Sequence, residues 1–280
     1  MFERIGNSWR LIKASAAVLW ADKELILFPI ISAIGVLIVT VTFAFPMILA
    51  NFFDALLDGK ASGLGFIVGF LFYTVQYFVI IFANSALVGA AMIRLRGGDP
   101  TVRDGFRIAW EHVTAILGYA LISATVGMIL RWLSERGKVG GRIAASLLGL
   151  GWNLATYLVV PVLVVEGVGP LEGIKRSADL LKRTWGEQIV GNFSVGTVFG
   201  LLTVAVIVLS IPIFVLVASA DSLALIILTA LGLVLTLVLI GLINSTLNGI
   251  YIAAVYQYAA EGETGGFFQP ELIEGAFRPE

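Results

Sequence analysis

Uncharged, strongly apolar stretches alternate with short charged segments along this chain. Six of them, residues 25–50, 61–93, 113–130, 143–165, 188–220 and 222–260, contain no Asp, Glu, Lys or Arg. A bilayer core about 30 Å thick is crossed by roughly 20 apolar residues of helix. Inside it an unpaired backbone is so costly that only helices and closed barrels survive. The pattern predicts an all-α membrane fold with six transmembrane helices. Residues 1–260 form a single transmembrane domain, with an acidic cytoplasmic tail over 261–280. Composition agrees, with 59% hydrophobic and only 13% charged residues, against about 25% charged in soluble domains.

The connecting segments have a periodicity of their own. Phe2, Ile5, Trp9, Ile12, Ala16 and Leu19 recur at spacings of three and four, which is one face of a helix. Leu171, Ile174, Ala178, Leu181 and Trp185 do the same, and Val102, Phe106, Ala109 and Val113 make a shorter version. Basic residues flank the stripes. An apolar stripe with basic flanks and a Trp suits a helix lying in the headgroup layer. The alternative is that each stripe packs on the chain's own spans, and the two are compatible. The reading is three amphipathic interfacial helices.

These helices resemble copies of one unit. With Ile5, Phe106 and Ile174 aligned, Ser8 meets Ala109 and Ser177. Ser8-Trp-Arg-Leu11-Ile12-Lys13 then matches Ser177-Ala-Asp-Leu180-Leu181-Lys182. The second span of the first unit reads Asn84-Ser85-Ala86-Leu87-Val88-Gly89, and the last span reads Asn244-Ser245-Thr246-Leu247-Asn248-Gly249. Units 1–94, 101–165 and 170–260, each a helix plus a hairpin, would be related by an axis along the membrane normal. Such a pseudo-threefold repeat puts Asn84, Asn153 and Asn244 in related places.

Polar side chains in hydrocarbon tend to face a bundle interior. Asn84, Asn153, Asn244 and Asn248 therefore form a candidate intramembrane polar cluster. They either line a cavity or substrate path, or join helices through hydrogen bonds. No ionisable residue lies deep in a span, which disfavours ion-coupled transport. Glu166 is the first charge after the fourth span, where an unpaired carboxylate is costly. The expectation is an ion pair with Lys175 or Arg176, or with Arg94 or Arg96 across the bundle. The sixth span, 39 residues long, would reach roughly 58 Å as one helix. It either projects beyond the bilayer or breaks near 244–249. Pro46, Pro161 and Pro212 read as kinks.

Lys and Arg set orientation. The N-terminal segment holds Arg4, Arg10, Lys13 and Lys23, and the second connection Arg94, Arg96, Arg103 and Arg107. The fourth connection holds Lys175, Arg176, Lys182 and Arg183, and the tail Arg278. The other side has only Lys60, Arg131, Arg136, Lys138 and Arg142. Both termini are predicted to be cytoplasmic. The apolar run after the basic N-terminus reads as a retained span, because Asp22, Lys23 and Glu24 precede it and no small-residue cleavage site follows a short core.

Candidate chemistry is sparse. There is no Cys, and His112 is the single His, so neither thiolate nor His-rich metal sites are expected, nor any cofactor. A net charge of −1 favours no nucleic acid. Gly97-Gly98-Asp99-Pro100 is a turn before a helix, capped by Asp99 or Thr101. The tail, with Phe267, Phe268 and Phe277, is either a docking strap or disordered.

One block carries a family resemblance. It runs from Pro161 through Glu166-Gly167-Val-Gly169-Pro170 and Lys175-Arg176-Ser177 to Lys182-Arg183-Thr184-Trp185-Gly186-Glu187. It resembles an uncharacterised family of six-span prokaryotic membrane proteins. More distantly it is similar to the membrane domain fused to some glycerophosphodiester phosphodiesterases. The resemblance implies a prokaryotic cell-membrane protein with both ends cytoplasmic, and it carries no catalytic residue. The expected function is a non-enzymatic membrane scaffold or lipid-interacting accessory protein, with membrane lipids and a second copy of the chain as partners. The alternative is a channel or facilitator for a small or amphipathic solute.

Overall fold

The computed structural model describes residues 2–49, 63–136, 139–185, 194–219 and 222–274. Every regular element among them is helical. Helix α1 (Phe2–Ala21) leads through a 3-10 turn (Lys23–Ile26) into α2 (Leu27–Leu49). Then come α3 (Gly63–Leu95), α4 (Val102–Glu111), α5 (Val113–Arg136), α6 (Val139–Ala155) and α7 (Val159–Val165). The chain continues with α8 (Pro170–Trp185), α9 (Ser194–Ala218), α10 (Leu223–Glu261) and a short α11 (Pro270–Glu274). Six segments are long and apolar enough to cross a membrane: Lys23–Pro46, Ile67–Leu95, Val113–Glu135, Gly140–Val165, Val198–Ala218 and Leu223–Glu261.

Of the two readings of the sixth span, the unbroken one holds, and the break falls in the fourth span. Helix α10 is continuous over 39 residues. The fourth span instead opens at Thr156–Leu158 between α6 and α7. Pro161 has no N–H, and its ring displaces the carbonyl four residues back, at Tyr157. The Leu158 N–H freed by the break donates to the buried Ser177 hydroxyl at 2.9 Å. The serine that α8 shares with α1 in sequence thus stitches a helix outside the span to the broken backbone within it. The third span, 18 uncharged residues in the sequence, continues to Arg136. Arg131 is held there by Glu135 at 2.7 Å and by the Tyr73 hydroxyl at 2.6 Å.

The hydrophobic core lies at one end of the bundle, here called the base. Leu87, Val88, Ala91, Leu158, Val162, Leu163, Ile250, Ala254 and Val255 are buried there, along with Leu11, Val18 and Leu180 from α1 and α8. The far half is different: among the described residues, none between 200 and 245 is buried. There α9 and α10 pack on each other and are otherwise exposed. Lipid chains are as apolar as leucine, so such faces carry no penalty in a bilayer.

The three helices outside the spans ring the base in a regular order. Each packs on the second span of the hairpin that precedes it: α4 on α3, α8 on α6 and α7, and α1 on α10 of the last hairpin, closing a circle. Inside the ring α3, α7 and α10 touch one another. All three end at a left-handed glycine, Gly97, Gly167 and Gly262, whose backbone terminates a helix without steric strain. The shared leucine position of the α1 and α8 motifs, Leu11 and Leu180, is buried in both. The side chains of Phe2 and Ile5 lie outside the described residues, as do Lys60, Lys138, Phe277 and Arg278.

Of the two readings of the tail, docking fits its described part. Phe268 and Ile273 are buried, and the Trp185 indole donates to the Ile273 carbonyl at 3.3 Å.

Candidate functional site

The two Asn-Ser-x-Leu-x-Gly segments meet where α3 and α10 cross. A side chain at position 249 would collide with Leu87, so Gly249 is what lets the helices approach. Their crossing leaves a cavity of about 70 Å³, lined by Asn84, Val88, Tyr157, Val160, Ser245, Asn248, Gly249 and Ile252. Three spans contribute polar groups to it, and none of them is charged. Among the described residues Asn84, Ser245 and Asn248 make no side-chain hydrogen bond with protein. An amide left unpaired in a medium with no hydrogen-bonding capacity costs about 4–8 kcal/mol, so this pocket is energetically unusual.

Not every asparagine of the sequence cluster joins it. Asn244 is half-buried on α10, one turn before Asn248, its carbonyl oxygen enclosed without a partner. Asn153 does not belong to the cluster: it is exposed on α6, and Tyr157 supplies the fourth span's polar group. The interruption before Pro161 sets this register, so counting from Asn153 along an unbroken helix gives the wrong face. Sequence reasoning missed Tyr157 and Ser245 as lining residues. The signals were present, since Tyr157 lies four residues before the proline and Ser245 inside the repeated motif.

A second polar group sits at the base. Arg176 Nε donates to both carboxylate oxygens of Glu166, each at 3.0 Å, and the Tyr256 hydroxyl donates to the same carboxylate at 3.2 Å. Of the four cations put forward for Glu166, Arg176 makes the contact. Lys175 is exposed. Arg94 binds Asp99 at 3.2 Å and the Ala21 carbonyl at 2.8 Å, while Arg96 pairs with Glu261. These links tie the ends of α3, α7 and α10 together. With side chains 37% and 23% exposed, the Arg176–Glu166 pair belongs to the class worth about 1 kcal/mol or less. It fixes geometry more than it adds stability. Thr101 caps α4 in a box with Asp104, and Glu24 accepts the Val102 N–H at 3.0 Å. Those hydrogen bonds from Thr101 hold the Asp104 carboxyl below its usual range.

Asp22 is the least comfortable charge. It is 6% exposed, one oxygen accepts the Glu24 N–H at 3.2 Å, and the other has no partner. Burial raises its pKa, against the opposing pull of that hydrogen bond and of Arg94. A carboxyl whose pKa is raised on folding contributes most below its ordinary value of 3.8. That contribution is lost as pH rises through the folded value. Asp22→Asn mimics the protonated form and keeps the acceptor. Thermal denaturation in detergent should therefore give the variant the higher Tm at pH 7, with the difference closing as pH falls towards 3.8.

His112 Nδ1 lies 2.9 Å from the Ile108 carbonyl oxygen; a carbonyl only accepts, so Nδ1 carries the proton and donates. Among the described residues no three His, Cys, Asp or Glu side chains are grouped closely enough to hold a metal ion.

Six apolar helical segments around a packed base, with a small neutral polar pocket and paired charges at their ends, define a multi-span α-helical membrane protein. Residues 63–267 match a family of unknown function, DUF6159, and the chain belongs to that family. No curated protein matches it. The likeness to the membrane domain of glycerophosphodiester phosphodiesterases gains no support from these comparisons.

Proposed function

We propose that this is a non-enzymatic, lipid-interacting accessory or scaffold protein of a prokaryotic cell (inner) membrane, with both termini on the cytoplasmic side. The observation that carries the reading is the contrast between a base packed shut by Leu87, Val88, Leu158, Val162 and Ile250 and a far half whose apolar faces are open. A channel needs a continuous path, and the packed base favours none. Between α9 and α10 runs a groove of about 260 Å³, lined by Val206, Leu209, Ile213 and Leu233 with Ser210, Thr229 and Thr236. Each of those hydroxyls donates to a carbonyl of its own helix. The groove therefore presents hydrocarbon, and the occupant that suits it is an acyl chain; the same faces also suit a second copy of the chain.

In this reading α1, α4 and α8 lie at the membrane surface, their basic flanks facing lipid headgroups. Trp9, Trp20 and Trp110, exposed around the base, support that placement. The circular packing order, the three terminal glycines and the matched Leu11 and Leu180 support the pseudo-threefold repeat. The exposed Asn153 speaks against equivalence at that one position.

The neutral cavity favours a second reading, a facilitator for a small solute. Reconstitution separates the two. Photoreactive acyl-chain lipids should label the groove between Val206 and Thr236, and vesicles containing the protein should pass small solutes no faster than empty ones. Solute flux that is lost in Asn84 or Asn248 variants, with an unlabelled groove, would transfer the assignment to the facilitator.

A further inference from the structure

The groove between α9 and α10 and the cavity between α3 and α10 differ in one chemical respect. In the groove between α9 and α10 every lining hydroxyl is already bonded to a carbonyl of its own helix. In the cavity at the junction of α3, the Tyr157 turn and α10, the Asn84 and Asn248 amides and the Ser245 hydroxyl have no protein partner among the described residues. An apolar cavity stays dry, whereas a polar one is filled when it has room and several hydrogen-bonding neighbours.

We propose that the junction cavity is a binding site for a small water cluster, held by Asn84, Ser245 and Asn248. Its 70 Å³ accommodates about two to four molecules. Each amide offers both donors and an acceptor, and the hydroxyl does both, so a chain of waters satisfies all three side chains together. The lining has no carboxylate to balance a cation and no Lys or Arg to hold an anion, which leaves a neutral occupant. The space is too small for a lipid headgroup, and the base below it is closed by Val88, Leu158 and Ile250. The cluster is therefore a terminal pocket and not a segment of a pore.

The cluster also explains how α3 and α10 share a polar contact that neither completes directly. Water-mediated hydrogen bonds are nearly as good as direct ones and tolerate changes of a few tenths of an ångström between partners. This junction can consequently shift while its polar groups stay satisfied.

Radiolytic hydroxyl labelling of the full-length protein in lipid nanodiscs, read by mass spectrometry, tests the proposal. Hydroxyl radicals formed from a bound water attack the nearest side chain, so Tyr157 should be modified although it lies within a span. Phe28, 1% exposed in the dry core, should not be. The Asn84→Leu/Asn248→Leu pair should lose the Tyr157 label, and Asn84→Ser should keep it. Tyr157 no more reactive than Phe28 in the parent protein would overturn the proposal, and that comparison stands even if the leucine pair fails to fold. A non-water molecule retained in the cavity, seen as a mass increment by native mass spectrometry and absent from the leucine pair, would overturn it too.

Discussion

Replacing Gly105 by valine is expected to detach α4 from the bundle. A Cβ at this position would sit 2.5 Å from the Phe28 ring and 2.6 Å from the Ala86 carbonyl oxygen. The ring could turn aside, but the carbonyl belongs to the α3 backbone and cannot. Helix α4 would have to lift away, breaking the contacts of Phe106 with Phe28 and Phe82, whose ring centroids lie 5.3 and 6.1 Å from it. Overpacking of this kind costs about 1–3 kcal/mol, and the loss of the aromatic contacts adds to it. Equilibrium unfolding with a denaturing detergent should show the drop. Gly105→Ala meets the same carbonyl and should be destabilised as well, though less. A wild-type midpoint for both variants would mean that α4 is not seated as described.

Trp185→Ala should have an effect of similar size through a different part of the molecule. Trp185 is 4% exposed, lies against Tyr258 and holds the Ile273 carbonyl. Truncating a buried Trp costs about 3–5 kcal/mol. Here the loss should be accompanied by release of the tail, because the indole no longer holds the Ile273 carbonyl. Limited proteolysis should cut the variant between 262 and 274 much faster than the parent, while the spans stay protected by the bilayer. Unchanged cleavage would show that the tail is held by other contacts.

The spans were legible in the sequence because burial in a bilayer demands long uncharged runs and little else resembles them. Glu166 was legible for a related reason: where charges are scarce, a carboxylate at the end of a span needs a partner, and Arg176 lies two to three turns ahead on the next helix. What the sequence concealed depends on contacts between elements. Pro161 read as an ordinary kink because nothing in its neighbourhood announces that a serine sixteen residues later supplies the missing hydrogen bond. Asn153 and Tyr157 exchanged roles because the break, and not the period of a continuous helix, sets which face points inward. Asp22 stands in a run with Lys23 and Glu24 ahead of the first span, and nothing in that run sets it apart, yet it is buried in the fold. Gln257 is 1% exposed, and a lone glutamine in a long apolar run gave no sign of it.

The circle around the base also has a consequence in time. Helix α1 leaves the ribosome well before α9 and α10, the helices whose surfaces it rests on. At about 5–20 residues per second, synthesis of the intervening chain takes roughly ten to fifty seconds. Throughout that interval the apolar stripe of α1 has no seat on the protein. A helix of that composition has a resting place at hand in the headgroup layer, so the membrane surface acts as its holding station until the final hairpin inserts. An element made early thereby finds its seat late.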